Sequence, residues 1–161
     1  QGDPDDAPSF ETVCGMGNLK NELFLRSLAE DGVVAYPGSV ALLDALAAAG
    51  VPCAVVSSSR NARGVLAAAG LAERFEVVVD GVVAAGLGLA GKPAPDTYLH
   101  AAELLGATPA STAVIEDALS GVASGAAGGF HPVVGVDRGA GRAALLAAGA
   151  EIVVDDLAEL I

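Results

Sequence analysis

Gly91-Lys92-Pro93-Ala94-Pro95-Asp96 and Val114-Ile115-Glu116-Asp117 are the two stretches of this chain whose residue types fit a reaction. In the first, two prolines restrict the backbone around one lysine and aim its side chain consistently. In the second, adjacent carboxylates close a short apolar run; such acids repel each other, and a divalent cation offsets that cost. A fixed cation and a carboxylate pair suit a magnesium-bound phosphoryl group. The lysine offsets phosphate charge, and the carboxylates hold the hard metal through oxygen. A third stretch, Ser57-Ser58-Ser59-Arg60-Asn61, follows the apolar Cys53–Val56. Its hydroxyls, guanidinium and free helix-start amides make a phosphate cradle. Each stretch also has a plainer use: the serines and Asp117 as helix caps, Lys92 as a solvated surface residue. Order and spacing together, not any one motif, carry the chemical reading.

Composition bounds what these residues can serve. The 161 residues fit one domain, and 53% are hydrophobic but only 4% aromatic, so the core must be built from Ala, Val and Leu. A net charge of −12 leaves no basic stripe for nucleic acid. An anionic substrate must therefore be held by a few placed cations and a metal rather than by the overall field. No apolar run reaches the roughly 18 residues of a membrane span, and the acidic start does not resemble a signal peptide. Cys14 and Cys53 lie in unrelated contexts and read as two thiols of a cytoplasmic protein.

The elements that must position the three stretches follow from periodicity and breakers. Residues 1–17 read as a tail or loop. Asn18 caps a helix to Glu30, Tyr36-Pro37-Gly38 interrupts, and Ser39 caps a second helix to Ala49 ended by Gly50. From there short apolar strands alternate with helices. Strands are expected at Cys53–Val56, Phe75–Val79, Thr112–Ile115, Val133–Val136 and Ile152–Val154, with Asp80-Gly81 as a tight turn into a further strand at Val82–Val83. Helices are expected after Asn61 to about Gly70, and at Asp96–Leu105, Leu119–Ala127 and Arg142–Ala148. This alternation means βαβ units around a parallel sheet, where ligands bind beyond the carboxyl ends of the strands. Ser57, Asp80, Glu116, Asp117 and Asp137 end strands; Asp80 is read as structural and Asp137 carries no role. His100 and His131 have no metal-ligand spacing and read as surface or half-buried residues.

From Gly17 onward the chain resembles the haloacid dehalogenase superfamily, and within it the β-phosphoglucomutase-like group. Val55-Val56-Ser57-Ser58-Ser59-Arg60-Asn61 is similar to that family's second motif, Gly91–Asp96 to the third, and Ile115-Glu116-Asp117-Ala118-Leu119-Ser120-Gly121 to the fourth. The resemblance implies Ser57 as the phosphate-binding hydroxyl, Lys92 as the stabiliser of charge on the transferring phosphoryl group, and Glu116 and Asp117 as Mg2+ ligands. Lys20 and Asn21 are similar to the cap-domain pair that meets a sugar phosphate, with Ser58, Ser59, Arg60 and Asn61 gripping its other phosphate. The implied fold is α/β: a Rossmann-like parallel sheet flanked by helices, with a partial helical cap over residues 1–35 and the core over 36–161. The implied activity is Mg2+-dependent phosphoryl transfer on a small sugar phosphate, by a monomer or weak oligomer.

One family motif has no counterpart. The first motif is an apolar strand ending in Asp-x-Asp-Gly, whose first Asp is the nucleophile. Asp3-Pro4-Asp5 has the letters, but only Gln1 and Gly2 precede it. The expectation is a chain that starts inside the cap, lacks the first strand of the core and does not turn over substrate as written. The alternatives are a catalytically dead phosphate-binding module and an incomplete fragment that folds poorly, since an open sheet edge is an aggregation liability.

Overall fold

Short valine-rich runs become parallel strands and alanine-rich segments become helices in the computed structural model, which describes residues 1–161. In chain order these are α1 (Val13–Asp31), α2 (Pro37–Ala48), β1 (Ala54–Val56), α3 (Ala62–Ala68), β2 (Val77–Val79), α4 (Gly81–Leu87), α5 (Asp96–Leu104), β3 (Val114–Glu116), α6 (Leu119–Ala127), β4 (Val133–Val136), α7 (Arg142–Ala147) and β5 (Ile152–Val154). The expected α/β architecture of parallel strands flanked by helices is what the chain adopts. No helix is long and apolar enough to cross a membrane.

The strands fall into two groups rather than one sheet. β1 pairs with β2, Val55 opposite Val78. Separately, β3, β4 and β5 pair in that order, Ile115 opposite Val134 and Gly135 opposite Val153. β1 and β3 share no hydrogen bonds. Between them runs an apolar groove of about 650 Å³, with Ala54, Val55 and Val56 on one wall and Ala113, Val114 and Ile115 on the other. β4, the middle strand of the three, is buried at every position, which is why it reads as a continuous apolar run instead of an alternating one. Val114, Val133 and Val153 pack with Tyr98, Ala102, Val122, Phe130 and Leu145 on one face. Val134, Val136 and Val154 pack with Leu42 and Leu157 on the other. Gly135 keeps the first face flat: a Cβ there would press on Leu145 and Ala150 at 3.2 Å. Tyr98 meets Phe130 edge to face, ring centroids 5.9 Å apart.

Three local expectations are corrected. Val82–Val83 is not a strand: Asp80 Oδ1 accepts from both the Val82 and Val83 amides at 3.0 Å, capping α4. The same Asp-Gly pair that can close a hairpin can start a helix, and here the aspartate's acceptor decides it. Residues 1–17 are not all loop, because Thr12 caps α1 by accepting from the Gly15 amide at 2.9 Å. Asn18 is therefore inside the helix, where its Nδ2 donates to the Pro4 and Asp6 carbonyls. Finally, α2 begins at Pro37 with Tyr36 as its cap residue, not at Ser39; proline's fixed φ suits the first helical position.

Candidate active site

Lys92 sits where the carboxyl ends of β1 and β3 meet the groove. Its Nζ donates to the Val56 carbonyl at 3.3 Å and to Glu116 Oε1 at 3.1 Å. It also lies 4.7 Å from the centre of the Tyr98 ring. One ammonium thus spans the ends of the two strand groups. The loop that carries it is pinned at both ends. Ser124 of α6, fully buried, donates to the Ala94 carbonyl at 2.7 Å, and Asp96 Oδ1 accepts from the Ala90 amide at 3.2 Å. The Lys92–Pro93 peptide is cis.

The Lys92–Glu116 pair is largely withdrawn from water, the two side chains 9% and 16% exposed. Burial pushes the Glu116 carboxyl above its ordinary range. The Lys92 ammonium opposes that rise by charge and hydrogen bond, the Asp117 charge adds to it, and the Asp117 amide opposes it. Burial, followed by the charges of Glu116 and Asp117, pushes the Tyr98 hydroxyl well up, so that it stays neutral. Gly121 makes room for the acid: a Cβ on it would overlap the Glu116 carboxylate. Asp117, half exposed, turns instead toward Arg138, whose Nη1 lies 3.6 Å from its Oδ2. Both carboxylates border a cavity of about 220 Å³ that Ser39, Val136 and Arg138 also line.

The donor set fits a hard divalent cation. Two carboxylates border one cavity. Mg2+ is commonly held in this way, by one or two carboxylates with waters and phosphate oxygens completing its shell.

The hydroxyl stretch follows β1 directly. The Ser57 amide donates to the Val79 carbonyl at 2.9 Å, extending the β1–β2 pairing by one bond. Ser57 Oγ accepts from the Ser59 amide and Ser59 Oγ from the Asn61 amide, each at 3.1 Å, so the hydroxyls shape the loop itself. Gly81 permits the tight path, since a Cβ there would stand 2.7 Å from the Ser58 carbonyl oxygen and 3.2 Å from Arg60 Cγ. Asn61 Nδ2 donates to Asn21 Oδ1 of α1 at 2.6 Å, joining the two predicted substrate-side elements. Ser58, Arg60 and Lys20 are exposed, and Lys20 makes no hydrogen bond or ion pair to the core. The Asp5 amide donates to Asp3 Oδ1 in a local turn that Asn18 ties to α1.

A model of the haloacid dehalogenase-like hydrolase family matches residues 8–129. The chain belongs to that family. It is 53% identical over 164 residues to the β-phosphoglucomutase of Mycobacterium tuberculosis, covering 99% of this chain and 62% of that protein. Hexitol phosphatase A of Escherichia coli is 41% identical over 113 residues, covering 68% of this chain and 49% of that protein. Among solved structures, a haloacid dehalogenase family hydrolase from Deinococcus radiodurans with bound phosphate and sodium matches with a TM-score of 0.75 at 35% identity, over 92% of this chain and 66% of that one. The β-phosphoglucomutase of Clostridium difficile matches with a TM-score of 0.78 at 27% identity, over 95% and 65%. The chain is thus a β-phosphoglucomutase-like haloacid dehalogenase family member that spans about three fifths of the M. tuberculosis relative's length.

Residue types alone did not point to several parts of this site. Gly121 stands in the fourth motif without an evident role, and its need emerges only when the Glu116 side chain crosses α6. Ser124 carried a usable signal, as a hydroxyl on the small-residue face of α6 with Gly121 and Gly125. Arg138 carried none.

Proposed function

We propose that this chain carries the electrostatic half of a phosphoryl-transfer site that acts on a small sugar phosphate, by mutase-type chemistry or hydrolysis. The observation that carries the reading is the single ammonium of Lys92 held between Val56, next to Ser57, and Glu116, next to Asp117. Three motifs distant in sequence thereby meet at the ends of β1 and β3. In this reading residues 1–35 are part of a helical cap and 36–161 the core. A strand in the groove between β1 and β3 would bring a nucleophilic aspartate to the same mouth. Its carboxylate oxygen would bond to phosphorus as the bond to the sugar oxygen breaks, giving an aspartyl-phosphate.

The chain's own groups would do the rest. Ser57 would bind phosphoryl oxygens, and Lys92 would offset charge that grows on them. Glu116 and Asp117 would hold Mg2+, which supplies Lewis-acid charge neutralisation when bound. Ser58, Ser59, Arg60 and Asn61, with Lys20 and Asn21 across from them, would grip the far end of the substrate. The Asn61–Asn21 contact supports a grip made from both elements. The names of the relatives, a phosphoglucomutase and a hexitol phosphatase, support the substrate class.

Titration calorimetry of the 161-residue chain with β-glucose 1-phosphate tests the reading. Binding that requires Mg2+, with no phosphate release from it or from an aryl phosphate, is expected. Absence of Mg2+-dependent binding would overturn the phosphate site. Robust turnover would overturn the assignment of the nucleophile to another strand. Binding without turnover in a longer parent chain that has a strand in the groove would favour a phosphate-binding module.

A further inference from the structure

We infer that Arg138 is the positioning residue of Asp117, and that through Tyr36 it ties this carboxylate to the connection between α1 and α2. The inference rests on Glu116 and Asp117 being the metal carboxylates. Arg138 follows β4 in a loop that folds back on itself, because Asp137 Oδ1 accepts from the Gly139 and Gly141 amides at 3.1 and 2.9 Å. Its guanidinium then has three partners. Its carbon lies 3.7 Å from the centre of the Tyr36 ring, close enough for a strong stack. Nη2 donates to Ser39 Oγ at 3.2 Å, and Nη1 faces Asp117 Oδ2 at 3.6 Å. A guanidinium shared in this way is engaged rather than free to grip a substrate phosphate. Its planar fork suits fixing one carboxylate oxygen while the other stays open toward the cavity.

Tyr36 gives the arrangement a second end. It is the cap residue of α2, four residues after the glycine that ends α1. The contact therefore ties the residue that starts α2 to the orientation of Asp117. Ser39, in the first turn of α2, holds the same guanidinium from the other side.

Groups that orient a metal-binding carboxylate typically change metal affinity by about 10- to 100-fold when removed. The 3.6 Å separation and the half-exposed Asp117 put this case near the lower figure. Mn2+, another hard oxygen-seeking ion, can be counted directly in its free form by electron paramagnetic resonance. Wild type should bind Mn2+, and Arg138→Met should bind about tenfold more weakly at unchanged circular dichroism. Tyr36→Leu should lose several-fold, whereas Tyr36→Phe, which keeps the ring, should stay within about twofold of wild type. The Arg138→Met/Tyr36→Leu double variant should be no weaker than Arg138→Met, because both act through one contact; purely structural damage would add. Unchanged or tighter Mn2+ binding by Arg138→Met would overturn the inference, tighter binding meaning that the guanidinium competes with the ion. Additive losses would overturn the link through Tyr36. A wild-type chain that binds no Mn2+ would overturn the metal reading, and this inference with it.

Discussion

Replacing Lys92 with methionine keeps most of the side-chain volume and removes the charge, leaving Glu116 16% exposed beside Asp117. At 3.1 Å and an effective dielectric of about 20, the lost attraction is about 5 kcal/mol. Most of it is not visible as stability, since burying both ions had a cost of its own. The carboxyl has an escape: it can take a proton. From an ordinary value of 4.5, protonation at pH 7 costs about 3.4 kcal/mol, which caps the electrostatic loss there. Loss of the hydrogen bond to the Val56 carbonyl adds about 1 kcal/mol at any pH.

The sign follows from linkage. In Lys92→Met, burial and Asp117 hold the folded-state pKa of Glu116 above the unfolded value with no ammonium opposing them. The folded state then keeps a proton that the unfolded chain gives up, so stability is greatest below pH 4.5 and falls as pH rises. Between pH 5 and pH 7 one retained proton accounts for at most about 2.7 kcal/mol. Glu116 is raised in the wild type too, so part of this loss is common to both; urea denaturation of wild type and Lys92→Met at both pH values should show the gap between them wider at pH 7, by less than that bound. Adding Glu116→Gln to the variant should remove that widening. Parallel stability curves for wild type and Lys92→Met, or a double variant that keeps the widening, would refute the claim that Glu116 is the group Lys92 neutralises.

Three further outcomes test separate parts of the structure. Gly121→Ala should weaken Mn2+ binding at least tenfold with little change in helix content, because the new methyl displaces the Glu116 carboxylate; titration by electron paramagnetic resonance reads this. Leu145→Ala, at a fully buried position between α7 and the strands, should lower unfolding free energy by about 2 to 5 kcal/mol in urea. Asp80→Ala should cost about 1 to 2 kcal/mol, because two amides at the start of α4 lose their acceptor, and amide exchange at Val82 and Val83 should accelerate first.

Much of the site was legible because its residues lie at fixed offsets from local breakers. Lys92 between glycine and proline, and Glu116-Asp117 closing an apolar run, are features that one segment carries by itself. Strand positions were legible for the same reason, to within a residue or two at the ends. Pairing was not. Period and composition say that Ala54–Val56 and Val114–Glu116 are strands, but not that each would keep an unpaired edge facing the other. Asp80-Gly81 was ambiguous in principle, since the side-chain acceptor that favours a turn also caps a helix. Arg138 lies 99 residues from the serine it contacts, and no local pattern encodes such a meeting.

The split between the strand groups gives the Lys92 segment a second meaning. In a continuous parallel sheet, interstrand hydrogen bonds align the carboxyl ends of neighbouring strands. β1 and β3 share none, so their alignment must come from elsewhere. α5 packs against β1 and β2, while its Tyr98 and Ala102 belong to the cluster that covers β3, β4 and β5. The residues just before α5 carry Lys92, which reaches the last carbonyl of β1 and the last side chain of β3. One short segment therefore both joins the two halves of the core and sets the charge between their ends. Any change that spreads the groove would stretch the Lys92–Glu116 pair, and a strand filling it with regular spacing would hold that pair in register. The geometry of the cation and the continuity of the sheet are then a single variable, and perturbing either is expected to be felt at Glu116.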